Sequence, residues 1–143
     1  MFKNIFSKKK NDIQEKYILI GALLVHAAKI DDRYTEAEKG IIKRAIINLD
    51  SSNSAEIEKI LEKAEKKEEE SNQILEFTKE IKKYSSDFRF KIIEILWEIV
   101  YSDATNDIYE SNLIRRVCGL LYISDKDNGV IKLKVQKNKK WLI

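Results

Sequence analysis

Apolar residues recur along this chain at the three- and four-residue spacing of helices. No stretch alternates with the period of two that a half-buried strand needs. Seven helical segments follow from the pattern. The first, Asp12–Ile30, is apolar on nearly every side from Tyr17 onward, which predicts a central position. The second, Glu36–Leu49, gathers Ile41, Ile42, Ala45, Ile46 and Leu49 on one face. After the turn "DSSNS", Ser54 is placed to cap a third helix, Ala55–Glu70, with an apolar face of Ile57, Ile60, Leu61 and Ala64. A fourth spans Gln73–Tyr84, with Leu75, Phe77 or Thr78, and Ile81 directed inward. The fifth, Asp87–Ser102, follows a "SSD" cap and carries Phe88, Ile92, Ile93, Ile95, Leu96, Trp97, Ile99 and Val100, so it is a second central helix. A sixth covers Ile108–Tyr122, and Ser124–Asp125 starts a seventh that runs towards Gln136.

Two of these units repeat. A buried helix, an Asp-started loop and an amphipathic helix occur as segments one and two, and again as segments five and six. The expected architecture is an all-α compact bundle of about seven helices, built on two related helical hairpins. The third, fourth and seventh helices cover them.

Composition agrees with helices. The 143 residues contain no proline and four glycines, and this length suits one domain with a real core. The net charge of +3 is unevenly spread. Met1–Lys10 holds four lysines and no acid, and Lys126–Ile143 holds six lysines against Asp127, which leaves Asn11–Asp125 at −6. The reading is therefore a basic N-terminal tail over residues 1–11, an acidic helical domain over 12–136 and a basic C-terminal tail over 137–143. An acidic body argues against nucleic acid as a partner. Basic tails leave an anionic membrane surface or another acidic partner open, although short basic termini more often only solubilise. "YILIGALLVHAAKI" is too short to span a bilayer, which takes about 20 apolar residues. One cysteine, Cys118, excludes a disulfide framework and suits a reducing, cytoplasmic setting; its neighbours make it a small buried hydrophobe.

Candidate chemistry is confined to acids at two helix starts. Asp31 and Glu38 in "KIDDRYTEAEKGIIKRAIINL" correspond to Asp103 and Glu110 in "SDATNDIYESNLIRRVCGLL". Glu38 lies three residues after Thr35, and Glu110 three after Asp107, the spacing of a capping box. A second reading gathers Asp31, Asp32 and Glu38 with Asp103, Asp107 and Glu110 as oxygen ligands of a hard divalent cation. Glu98, five residues before Asp103 on an apolar helix, needs a partner if buried, such as a helix start, Arg115 or Arg116, or a metal. His26 holds the matching place before Asp31 and reads as a core or half-buried histidine. An EF-hand is excluded, because the twelfth loop position is Ile42 or Ile114 rather than glutamate. No phosphate loop, zinc-protease helix or nucleophile elbow is present, and the chain reads as a non-enzyme.

"GALLVHAAKIDDRYTEAEKGIIKRAI" together with "LWEIVYSDATNDIYESNLIRRVCGLLYISDKD" resembles the tellurite-resistance TerB family, a module related to the N-terminal region of DjlA-type co-chaperones. The resemblance covers about Tyr17 to Val135. It implies an all-helical domain with two related halves and no established catalysis. It also implies a divalent metal at paired acidic loops, and a place in tellurite, metal or general stress response. The implied metal residues are Asp31, Glu38, Glu98, Asp103 and Glu110. The family favours Ala-Asp-Gly in each loop, where this chain has Asp32 and Ala104 at the glycine positions, and it often has glutamate at His26. No His-Pro-Asp motif exists, so the chain is not a J-domain co-chaperone. The remaining alternative is a metal-independent protein–protein scaffold, with an unidentified protein partner, that associates with membranes through its basic tails.

Overall fold

The computed structural model describes the backbone of residues 2–30, 33–102 and 108–140, and the side chains of 14–30, 33–102 and 111–138. Among the described residues, seven α-helices follow in order: α1 (Phe2–Ala28), α2 (Glu36–Leu49), α3 (Ile57–Glu70), α4 (Leu75–Ile81), α5 (Ser86–Ser102), α6 (Ile108–Leu120) and α7 (Asp125–Lys140). Among the described residues there is no strand.

The two helices with unbroken apolar runs are the central ones. Ile20, Leu23 and Leu24 of α1 and Ile92, Ile93, Leu96 and Ile99 of α5 are fully buried. They pack on each other and on α2, which contributes Ile42 and Ile46. Helix α3 covers α1 and helix α7 covers α5, while α4 bridges α1 and α6. Each half thus has one plan: a buried helix, an amphipathic helix, and a covering helix that returns to the first.

Close approach fixes the α1–α3 crossing. A Cβ at Gly21 would stand 2.8 Å from the Cβ of Ala64. Two small residues let the backbones meet where larger ones would hold them apart. The α5–α7 contact uses other chemistry. The Trp97 indole N–H donates to Asn128 Oδ1 at 2.9 Å and Gln136 donates to the Tyr101 hydroxyl at 2.7 Å, while Trp97 and Tyr101, both on α5, stack on each other with ring centres 5.8 Å apart.

Several details differ from the sequence expectation. Helix α1 begins at Phe2 rather than Asp12, so the basic N-terminal stretch continues the helix, and α7 runs on through Lys140. Ser54 does not cap α3. Asp50 instead accepts the Ser52 N–H at 3.0 Å and starts a 3₁₀ turn, Ser51–Glu56, that leads into α3 with no side-chain cap. In α4 the inward residues are Ile74, Phe77, Thr78 and Ile81; Leu75 is exposed. The caps at Ser85 and Ser124 are present, accepting from Phe88 N at 3.3 Å and Asp127 N at 3.1 Å.

Candidate functional site

The acidic loops join α1 to α2 and α5 to α6, so the ends of those helices determine where the acids are carried. Lys16 of α1 places its ammonium 4.0 Å from the Tyr84 ring centre and 4.3 Å from that of Phe88, at the start of α5. Asp50, one residue past α2, acts electrostatically on both Lys16 and Tyr17. The first core turn of α1, the end of α2 and the start of α5 therefore meet at one end of the bundle. These three helices pack on one another, and each rises about 1.5 Å per residue over a similar span. The last turns of α1 and α5 and the first turn of α2 accordingly lie at the opposite end. Both acid-bearing loops depart from there.

Glu38 is buried at the start of α2. Its Oε1 accepts the Thr35 backbone N–H at 3.0 Å and the Thr35 hydroxyl at 3.0 Å, and its own N–H donates to Thr35 Oγ1 at 3.1 Å. This is the reciprocal capping box read from the sequence. It commits one carboxylate oxygen to the backbone. Asp31, Asp32, Asp103 and Asp107 lie outside the described residues. Glu110 is on α6, but its side chain also lies outside them, so the second capping box does too.

Glu98, which would need a partner if buried, is an exposed side chain on the outer arc of α5. It lines a groove of about 310 Å³ between α2 and α5, floored by Ile41, Ala45, Leu49 and Ile95 and edged by Arg44, Lys91 and Glu94. The walls displace enough water to push its pKa up, Glu94 adds to this, and Lys134 and Arg44 oppose it. Among the described residues, the walls are faces of α2 and α5.

His26 is half-buried, as its apolar surroundings suggested. Its Nδ1 lies 3.2 Å from Glu68 Oε1, and Glu68 Oε2 accepts from the Lys29 ammonium at 3.0 Å. One acid on α3 therefore clamps a base in the last turn of α1 and another just past its end. Cys118 is buried, and burial pushes its thiol up to about 12, so no thiolate forms near neutrality. Tyr34 was not singled out in the sequence. It is half-buried beside the first loop, with the Lys39 ammonium 5.0 Å from its ring centre. Burial, the charge of Glu65 and its side-chain hydrogen bond with Tyr34 hold the phenol above the ordinary range. The available signal was an aromatic residue between a loop acid and a capping threonine.

The donor types at the five sequence-designated positions are all carboxylates, the chemistry of a hard, oxygen-seeking cation. Among the described residues, no three histidine, cysteine, aspartate or glutamate side chains come together as a metal cluster. Glu38 and Glu98 alone do not make a site. Any site of this kind depends on Asp31, Asp103 and Glu110.

Among the described residues, no helix is long and apolar enough to cross a membrane. No curated protein and no solved structure matches the chain. A family model described as tellurite resistance protein TerB matches residues 18–133. That span takes in both helical hairpins, their acidic loops and nearly all of the core, and on this evidence the chain belongs to the TerB family.

Proposed function

We propose that this domain is a non-catalytic binding module in tellurite, metal or general stress response. In this reading it responds to a divalent cation held by its two acidic loops. The observation that supports it most is the shared end of the bundle: the last turns of α1 and α5, after which the two acidic segments follow in sequence, lie on the same side. Asp31 and Asp103 would be the principal ligands, because neither is explained by capping. Glu110 and Glu98 would complete an oxygen set, and Glu38 would hold the first loop in register through Thr35.

Calorimetry with Ca²⁺, Mg²⁺, Mn²⁺ and Zn²⁺ on the wild type and on Asp103→Asn/Glu110→Gln tests this. Binding tighter than millimolar that is lost in the double variant is the expected result. Equal binding by both proteins, or none by either, ends the metal reading.

A second reading is favoured by Glu38 itself, whose Oε1 already accepts two hydrogen bonds. If the second loop works the same way, the acids are helix starters and the domain is a metal-independent protein–protein scaffold. Glu110→Gln then lowers stability by about 1 kcal/mol or less, with or without divalent ions.

A further inference from the structure

Helix α7 has two unlike faces. Its inner face is locked: Asn128 accepts from the Trp97 indole, Val135 is buried, Ile131 packs against the core, and Gln136 donates to the Tyr101 hydroxyl. At 100° per residue, Lys126, Val130, Leu133 and Lys137 fall on one stripe on the other side. All four are exposed, with Val130 and Leu133 at 60% and 56% of their full accessibility. Because the inner bonds fix the rotation of α7, these two aliphatic side chains cannot turn into the core.

We propose that this stripe is a docking surface for an anionic phospholipid bilayer. Three observations favour that occupant. The stripe lies on the face of a single helix turned away from its Trp97 and Tyr101 contacts, an outward ridge that matches a planar interface. Its lysines lie at both ends of the aliphatic pair, so long stems can lie along the interface with ammonium groups among phosphates while Val130 and Leu133 enter the acyl boundary. The charge is also segregated along the chain: residues 126–143 carry +5 and residues 11–125 carry −6. An anionic surface therefore attracts the α7 stretch more than the acidic stretch that precedes it. Nucleic acid would use the lysines but leave the two aliphatic side chains without a partner. Two such residues make a shallow anchor, so attachment is reversible and weakened by salt. The proposal does not depend on the cation reading.

Sedimentation of the full chain with vesicles tests it, using phosphatidylglycerol/phosphatidylethanolamine against phosphatidylcholine. The wild type pellets with the anionic vesicles, not with the neutral ones, and is released by high salt. Val130→Ser/Leu133→Ser and Lys126→Glu/Lys137→Glu each reduce partitioning about tenfold or more, while circular dichroism shows unchanged helix content. Absence of pelleting overturns the proposal, as does pelleting of Val130→Ser/Leu133→Ser equal to wild type. Binding to heparin that needs Lys126 and Lys137 but not Val130 and Leu133, without vesicle binding, also overturns it and assigns the stripe to an acidic macromolecule.

Discussion

The two halves of the bundle share a plan and differ in how they fasten their covering helix. In the first, α3 is held to α1 by the Gly21–Ala64 approach and by Glu68 gripping His26 and Lys29. In the second, α7 is held to α5 by hydrogen bonds to the buried Trp97 indole and to the Tyr101 hydroxyl, with a solvent-facing Lys134–Glu94 ion pair beside them. The position five residues before each loop aspartate shows the divergence most clearly. It is His26, engaged by α3, in one half, and Glu98, exposed in the α2–α5 groove, in the other. Repetition preserved the apolar frame, while the polar positions took on separate tasks.

The contrast is broken most forcefully at Trp97. Trp97→Ala removes a buried ring together with its hydrogen bond and should cost about 3–5 kcal/mol in urea unfolding. His26→Ala removes one partner of a half-exposed ion pair and should cost about 1 kcal/mol or less. Equal losses would mean that the two clamps are not different in kind. Next in size is a pair of glycine substitutions. Gly21→Ala forces its new methyl against Ala64 and should destabilise by about 1–3 kcal/mol. Gly129→Ala on α7 meets nothing within 4 Å, so helix propensity alone should stabilise by up to about 1 kcal/mol. Thermal melts of the two variants should therefore move in opposite directions.

Smaller still is the comparison of helix starts. Thr35→Ala and Ser124→Ala should each cost about 1 kcal/mol, with Thr35 the larger because Glu38 then loses its reciprocal partner. Chemical denaturation would show the ranking. The smallest effect concerns Glu98. Its folded pKa lies above the usual 4.5, so the folded chain holds that proton more tightly than the unfolded chain does. The associated stability is present in acid and is lost as pH rises through the raised value. Glu98→Gln should remove this slope. The difference between variant and wild type should shift in favour of the variant from acid to neutral pH, and a parallel pair of curves would exclude the effect.

Much of this was legible in the residues. The apolar runs of α1 and α5 marked the two central helices, because only a helix surrounded by protein tolerates hydrophobes on every side. Thr35 and Glu38 announced their bond by spacing alone. The start of α1 was not legible: Phe2 to Glu15 carries too mixed a pattern for periodicity to detect, yet no proline or glycine interrupts it. Ser54 and Asp50 were equally good caps on paper, and the choice fell to the residue that could reach Ser52 N. Leu75 was misassigned because α4 is too short to display a period. Whether Glu98 is buried was left open by its apolar neighbours, although Glu94 and Glu98, four apart, trace the outer arc of α5. The site was legible only as residue types. Whether carboxylates converge depends on the geometry of two loops, which spacing does not encode.

The sequence order of the two halves also bears on how the chain assembles. Helices α1, α2 and α3 are consecutive, and so are α5, α6 and α7, and each covering helix returns to the helix that opened its own half. Most of the burial within a half is thus closed by nearby chain, which keeps contact order low and favours rapid folding. It also supplies two natural units of partial opening, with amides of α1 to α3 exchanging together and those of α5 to α7 exchanging together. The seam between them, where α5 lies against α1 and α2, is where such a molecule would part first.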